Sequence, residues 1–147
     1  MKYEEIKGDL FSAGDEYCYV QCGSADLALG AGIALQFNER FGVKDALRKK
    51  FKDNELLSTY KQYGGFCVGY LNTMTLITKY RYYDKPTYQT LTDALIMLKK
   101  KCEYDGINKL AMPKIGCGLD RLDFDRVRGI IKSIFNDTDI EIKVFYL

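Results

Sequence analysis

Histidine is missing from this sequence, and its absence limits the acid–base chemistry that the side chains can perform. None of the 147 residues is a histidine. Serine and cysteine hydrolases of the usual kind need an imidazole to take the proton of the nucleophile, so these classes are excluded. Any acid–base or nucleophilic chemistry must therefore use Asp, Glu, Lys, Tyr or Cys side chains.

A glycine-containing loop extends from Cys22 to Ala34, between a predicted strand and a predicted helix. Glycines allow sharp turns and the close approach of a ligand, and the amides at a helix N-terminus attract anions. An ordinary strand–helix turn is the alternative. The loop is not a complete dinucleotide fingerprint, because Leu35 occupies the third glycine position. Its candidate ligand-binding residues are Ser24, Gly30, Ala31, Gly32, Ile33 and Ala34.

A second loop of this kind extends from Pro113 to Arg121, again between a short apolar strand and a helix start. The backbone amides of such a nest can hold the other side of a diphosphate. Two anion-binding loops at one end of a sheet indicate a nucleotide diphosphate bound between them. The Gly-x-x-x-x-Gly-Lys-Ser/Thr motif is absent, which argues against an NTPase. The candidate residues are Pro113, Lys114, Ile115, Gly116, Cys117, Gly118 and Leu119.

Hydrophobic periodicity and turn residues predict strands that alternate with helices. The predicted strands are Tyr3–Lys7, Tyr17–Cys22, Phe66–Leu71, Thr75–Thr78, Lys109–Met112 and 140–147. The predicted helices are Gly32–Phe41, Val43–Phe51, one between Thr87 and Gly106, and one that begins at Asp123. This order indicates one three-layer α/β/α domain over residues 1–147, with a mixed or mostly parallel sheet. Ligands of such folds bind beyond the carboxyl ends of the strands, where both glycine loops are expected.

Composition restricts the partners and the surroundings of the protein. A net charge of +2 argues against a dedicated duplex-DNA binder. Five cysteines without a CxxC pair favour a reducing compartment over a disulfide framework and argue against a zinc site. No apolar run is long enough for a signal sequence or a bilayer span. We therefore expect a soluble intracellular monomer that uses no metal and no cofactor.

Three motifs resemble the macrodomain family: Gly8-Asp9-Leu10-Phe11, Gly30-Ala31-Gly32-Ile33-Ala34 and the stretch from Pro113 to Asp120. Three others resemble its terminal ADP-ribose protein glycohydrolase branch: Leu76-Ile77-Thr78-Lys79, Lys85-Pro86-Thr87-Tyr88 and the stretch from Gly116 to Leu122. The similarity extends from about residue 3 to Leu147. It implies a macrodomain fold that binds ADP-ribose and cleaves ADP-ribosyl linkages, with ADP-ribosylated protein or nucleic acid as the partner.

The same resemblance implies roles for individual residues. In that branch the lysine that matches Lys79 attacks the anomeric carbon of the distal ribose and displaces a protein carboxylate. The aspartate that matches Asp120 serves the proton transfers and helps to resolve the lysyl adduct. Asp9 is expected to bind the adenine amino group, while Leu10 and Leu147 line the ligand site. A lysine attacks as a neutral amine, so the chemistry requires either proton transfer to Asp120 or a partly desolvated pocket.

Several features leave the activity open. Gln21 and Leu29 replace the histidine and methionine of some relatives, and the Asn-Ala-Ala-Asn motif of mono-ADP-ribosyl hydrolase macrodomains is absent. A reader of ADP-ribose without turnover and an unrelated nucleotide-binding domain are the alternatives. Cys117 is either a reactive thiol or a small residue in a tight loop. The aromatic and basic residues of 80–85 form a base-stacking surface, a strand edge or a flap over the ribose.

Overall fold

A six-stranded sheet forms the centre of the structure, a computed structural model that describes residues 1–147. The strands, β1 to β6 in chain order, are Lys2–Lys7, Cys18–Ser24, Phe66–Tyr70, Thr73–Lys79, Lys109–Pro113 and Glu141–Tyr146. The helices, α1 to α5, are Ile33–Phe41, Val43–Lys50, Glu55–Tyr63, Tyr88–Asp105 and Phe124–Phe135. None of these helices has the length and apolar character that crossing a membrane requires.

The strand order is β1-β6-β5-β2-β4-β3, and only β3 and β4 pair antiparallel. Parallel neighbours need crossover connections, which the helices supply. Helices α4 and α5 cover one face, where Leu95 and Ile131 are fully buried. Helices α1, α2 and α3 cover the other face, where Phe37 and Leu47 are fully buried. The predicted three-layer α/β/α architecture with a mixed sheet is confirmed.

The predicted helix boundaries are confirmed where capping residues mark them. The Thr87 side chain accepts from Thr90 N at the start of α4, and Gly106 ends that helix with φ 70°. The Asp123 carboxylate accepts from Asp125 N at the start of α5. These local hydrogen bonds depend on neighbouring residues only, so the sequence is sufficient to predict them.

Helix α3 is the element that the sequence did not predict. It follows Asn54, which has a left-handed φ of 67° and makes no side-chain capping bond. Only Leu56 and Leu57 are buried along its nine residues. A short helix without a cap or a long apolar stripe is stabilised chiefly by the packing of those two leucines, and local patterns do not reveal such packing.

The carboxyl ends of three parallel strands meet at one edge of the sheet. Strand β2 lies between β5 and β4, so Pro113, Ser24 and Lys79 end neighbouring strands. A register shift after Gly23 pairs Ser24 directly with Lys79. Both glycine loops leave from this edge, as the topology of α/β sheets requires of a ligand site.

Candidate active site

A cleft of about 780 Å³ opens between the two glycine loops at the carboxyl edge of the sheet. This volume lies in the range of small-molecule sites. Lys79 and Asp120 both line the cleft. Most of the predicted ligand-binding residues also line it: Ser24, Gly30, Ala31, Gly32, Ile33 and Ala34 from the first loop, and Pro113, Lys114, Ile115, Gly116, Cys117 and Leu119 from the second.

The first loop enters α1 through Gly32, whose backbone has φ 58° and ψ −132°. Side chains rarely tolerate this conformation, so glycine is needed at this position. No side chain caps the first turn of α1. The amide groups of that turn are therefore free to bind an anion in the cleft.

The second loop turns at Gly116, where φ is 76°. A Cβ atom at this position would lie 2.9 Å from Leu122 Cδ1 and 3.3 Å from Leu91 Cδ2. The Leu122 amide donates to the Gly116 carbonyl at 2.8 Å and closes the loop. A single 3-10 turn from Gly118 to Asp120 follows, and it brings Asp120 to the cleft.

Lys79 and Asp120 form an ion pair across the cleft, although 41 residues separate them in the sequence. Lys79 Nζ donates to Asp120 Oδ1 at 2.8 Å, and the two side chains are only 15% and 16% exposed. Both side chains are largely shielded from water, which is one of the two conditions expected for attack by a neutral lysine. Their hydrogen bond is a direct path for a proton from the ammonium to the carboxylate.

Three hydrogen bonds fix the backbone that carries the lysine. The Thr78 carbonyl accepts from Thr90 Oγ1 at 2.7 Å and from the Tyr60 hydroxyl at 3.3 Å. The Lys79 carbonyl accepts from the Ala25 amide at 2.9 Å. A side chain on so well anchored a strand end is held in place before any substrate binds.

Residues 80–85, which we call the strap, connect the lysine strand to both glycine loops. The Tyr82 amide donates to Asp26 Oδ2 at 3.0 Å on the side of the first loop. Lys85 Nζ donates to the Leu119 carbonyl at 2.7 Å on the side of the second loop. The strand-edge interpretation of this segment is wrong, because β4 ends at Lys79. Tyr82 and Tyr83 are 64% and 65% exposed, so the stacking and flap interpretations both stay open.

Four predicted ligand-binding residues do not line the cleft: Asp9, Leu10, Gly118 and Leu147. One carboxylate oxygen of Asp9 accepts from the Phe11 amide at 3.1 Å and caps a short turn. Leu10 is buried in the core, whereas Leu147 is 97% exposed. The turn that follows Asp9 contacts β5 and β6, and none of its residues lines the cleft.

The two cysteines of the cleft are not activated. Burial raises the pKa of the Cys117 thiol, and burial likewise raises that of Cys22 to about 12. The thiolate is the reactive form, so burial opposes the activation of both groups. The structure therefore favours the interpretation of Cys117 as a small residue in a tight loop.

Six further residues line the cleft that were not among the predicted site residues. Tyr82 and Lys85 belong to the strap, for which the sequence left base stacking, a strand edge and a flap open as alternatives. The others lie within the first loop, so treating the whole loop as the site would have found them. The six are Cys22, Gly23, Ala28, Leu29, Tyr82 and Lys85.

Comparison with known proteins gives relatives that cover nearly the whole chain, although no family model matches it. The chain is 41% identical to the ADP-ribose glycohydrolase OARD1 of Bos taurus over 143 aligned residues. The alignment covers 97% of this chain and 90% of that protein.

Solved structures share the fold at lower identity. The macrodomain of Thermus aquaticus DarG gives a TM-score of 0.78 at 21% identity, over 99% of this chain and 98% of that chain. Thermosipho africanus DarTG in complex with ADP-ribose gives a TM-score of 0.71 at 17% identity, over 94% of this chain and 39% of that chain.

Proposed function

The chain belongs to the macrodomain family, and we propose that it binds ADP-ribose in its cleft and hydrolyses ADP-ribosyl linkages. The observation that carries the proposal is the Lys79–Asp120 pair, with 2.8 Å between Nζ and Oδ1, in a cleft bounded by two glycine loops. The relative from cattle is named as an ADP-ribose glycohydrolase, and the DarTG structure holds ADP-ribose. We also propose that the protein acts as a monomer.

The loops suit the diphosphate of ADP-ribose. The uncapped first turn of α1 supplies amide donors on one side, and the loop around Gly116 supplies them on the other. We propose that the distal ribose lies toward Lys79, and that the adenine extends beyond the cleft toward Asp9, as the resemblance implies. Only one oxygen of the Asp9 carboxylate accepts a hydrogen bond within the protein. Its other oxygen is therefore available to an exocyclic amino group.

The first chemical step uses the proton path between the paired groups. Asp120 Oδ1 accepts a proton from Lys79 Nζ, which leaves a neutral amine. The amine attacks the anomeric carbon of the distal ribose, so that an N–C bond forms and the C–O bond to the leaving group breaks. The leaving carboxylate takes the electron pair of the broken bond.

The second step releases the lysine. Asp120 first releases to solvent the proton that it took from Lys79, which is the one proton that hydrolysis of the ester sets free. The ionised Asp120 then removes a proton from a water molecule as the water oxygen bonds to the same carbon. The electron pair of the N–C bond returns to Lys79 Nζ, and the neutral amine regains its proton from Asp120, which restores the ion pair. One acidic group thus serves both steps, and the low exposure of the pair limits competition from bulk water.

An ester to an acidic side chain is the linkage that this chemistry favours. A carboxylate has a pKa near 4 and departs without being protonated. A serine-linked substrate would leave as an alkoxide, which departs slowly unless an acid protonates it, and Asp120 is the one carboxyl group that lines the cleft. Nucleobase-linked and O-acyl ADP-ribose also offer stable leaving groups and are the other linkages to test.

A reader of ADP-ribose without turnover is the second candidate function. The exposed Tyr82 and Tyr83 rings at the cleft could serve binding alone. A reader, however, does not need a largely buried Lys–Asp pair, because removing two charges from water costs free energy that ligand binding does not require. The pair therefore favours the enzyme.

The test replaces the proposed nucleophile. We expect Lys79→Ala to lose ADP-ribose release by at least about 10³-fold, while calorimetry shows that free ADP-ribose still binds. The matched control is Lys100→Ala, because Lys100 is exposed on α4 outside the cleft. The glycosyl adduct on Lys79 can open to an imine, with the ribose ring oxygen as the leaving group. Reduction of that imine with borohydride during turnover should trap ADP-ribose on Lys79. Normal turnover by Lys79→Ala would show that the lysine mechanism is wrong.

The substrate class is tested with a panel of labelled compounds. Glutamate-linked, serine-linked and thymidine-linked ADP-ribose are incubated with the wild type, and loss of the label is measured. We expect the glutamate ester to react faster than the serine linkage. Binding of free ADP-ribose without cleavage of any substrate would support the reader instead, and no binding at millimolar ligand would contradict both functions.

A further inference from the structure

Asp26 belongs to the first glycine loop, and its carboxylate accepts hydrogen bonds from three groups of residues that line the cleft. One carboxylate oxygen accepts from the Ser24 hydroxyl and, at 3.1 Å, from the Ala28 amide. The other oxygen accepts from the Tyr82 amide at 3.0 Å. Ser24, Ala28 and Tyr82 all line the cleft, whereas Asp26 itself does not. A single carboxylate thus connects the first loop to the strap.

The bond to Ser24 decides what that side chain can offer to a ligand. A serine hydroxyl has one proton, and Ser24 donates it to Asp26. Only the lone pairs of its oxygen remain for the cleft, so Ser24 faces the ligand as an acceptor. It is paired in register with Lys79 and therefore lies at the reacting end of the cleft. An acceptor there can receive a hydrogen bond from a ribose hydroxyl or from the lysine amine.

The bond to Tyr82 fixes the strap, which comes directly after the lysine strand. No other hydrogen bond joins the strap to the first loop.

The backbone of the first loop is also constrained. Leu27 and Leu29 have left-handed φ angles of 53° and 41°. The Arg48 guanidinium donates two hydrogen bonds to the Leu27 carbonyl, at 3.0 and 3.1 Å. A conformation of this kind persists only where surrounding contacts determine it.

We propose that Asp26 is a positioning residue for the reaction, which holds Ser24 as an acceptor and the strap over the Lys79 end of the cleft. This inference rests on the proposed function. Asp26 touches no substrate atom in this scheme and acts through Ser24 and Tyr82. Its loss should therefore slow turnover more than it weakens the binding of free ADP-ribose, which depends on the amides of the two loops.

The test uses Asp26→Asn, which leaves the shape of the side chain almost unchanged. One amide oxygen can still accept from Ser24 and Ala28, but the amide nitrogen then opposes the Tyr82 N–H. We expect kcat to fall at least about tenfold and the Kd of free ADP-ribose to change less than about threefold. Amide hydrogen exchange of Tyr82 should become faster. The matched control is Asp53→Asn, since Asp53 is exposed and its side chain makes no hydrogen bond.

A double-variant cycle with Ser24→Ala separates positioning from a general loss of stability. If Asp26 acts through Ser24, the kcat of Ser24→Ala with Asp26→Ala falls by clearly less than the product of the two single losses. Additive losses, or unchanged kcat in Asp26→Asn, would overturn the inference. An equal loss of kcat and of ADP-ribose affinity would also overturn it. Absence of turnover in the wild type would instead contradict the proposed function. Amide exchange of Tyr82 would then still measure whether Asp26 holds the Tyr82 N–H.

Discussion

Two ion pairs of this molecule share a short contact but differ in the cation and in the surroundings. Lys79–Asp120 lies in the cleft with side chains 15% and 16% exposed. Arg128–Glu5 joins α5 to the edge strand β1, with side chains 31% and 23% exposed. A lysine ammonium can give its proton to a partner, whereas a guanidinium retains its proton at every physiological pH. A charge pair becomes chemically competent only where the cation can become neutral beside a space that admits a substrate.

The Arg128–Glu5 pair has the properties of a structural clamp. Both oxygens of Glu5 accept from the guanidinium, and a third nitrogen donates to Asp125 at 2.8 Å. The Tyr3 hydroxyl also donates to Glu5 at 2.8 Å. The hydrogen bonds from Arg128 lower the pKa of the Glu5 carboxyl. The two bonds between Arg128 and Glu5 hold α5 against β1, the bonds to Asp125 and from Tyr3 orient the two partners, and none of these residues lines the cleft.

The substitution Lys79→Arg tests this difference most directly, because it replaces the lysine of the cleft pair with the arginine that the clamp uses. The guanidinium can still pair with Asp120 but cannot attack as a neutral nucleophile. We expect turnover to fall by at least about 10³-fold, with little change in the affinity for ADP-ribose. The measurements are single-turnover release of labelled ADP-ribose and calorimetry with the free ligand.

The reciprocal exchange, Arg128→Lys, is the control for that variant. It puts a lysine into the clamp, none of whose residues lines the cleft, and should leave kcat unchanged. Substantial turnover by Lys79→Arg would mean that the cation only stabilises charge in the transition state. The distinction between the two pairs would then be one of location and not of chemistry.

Asp120→Asn is expected to have the next largest effect. The amide keeps the size of the side chain but cannot accept a proton, so both steps lose their base. We expect kcat to fall by about 10²- to 10³-fold. Burst kinetics measure which step is affected, because a slower second step would leave the lysyl adduct to accumulate. A variant with wild-type kcat would show that another group accepts the proton.

Sequence reasoning identified the features of the site that depend on neighbouring residues. The glycine loops, the Thr87 cap and the end of a strand at Lys79 are all local patterns, and the structure has each of them. The pairing of Lys79 with Asp120 is different, because no local pattern joins residues that lie 41 positions apart. The two residues were predicted to act together from the resemblance to known proteins alone. The structure adds that their side chains are hydrogen-bonded, with 2.8 Å between Nζ and Oδ1.

Hydrogen bonds and packing contacts between residues of different elements could not be predicted from local patterns. Asp26 lies inside the first loop, but its bond to the Tyr82 amide links residues 56 positions apart. Helix α3 likewise depends on the packing of Leu56 and Leu57 rather than on a cap. The predicted positions of Asp9 and Leu147 followed from resemblance alone, and the enclosed cleft does not include them. Contacts over long sequence separation are selected by the tertiary fold.

The smallest expected effect concerns the clamp and its dependence on pH. Glu5→Gln keeps the shape of the side chain but removes the charge that Arg128 holds. We expect Tm at pH 7 to fall by about 2–4 °C and kcat to stay unchanged. Because the folded-state pKa of Glu5 lies below the ordinary value of 4.5, the ionised carboxylate stabilises the fold above that value. This contribution is lost as the pH falls through the folded-state pKa. The difference in Tm between wild type and variant should therefore have its largest value above pH 4.5 and become smaller as the pH is lowered below 4.5. A difference in Tm that stayed constant down to about pH 2 would show that the variant loses packing rather than charge. The charge of Glu5 would then contribute nothing to stability.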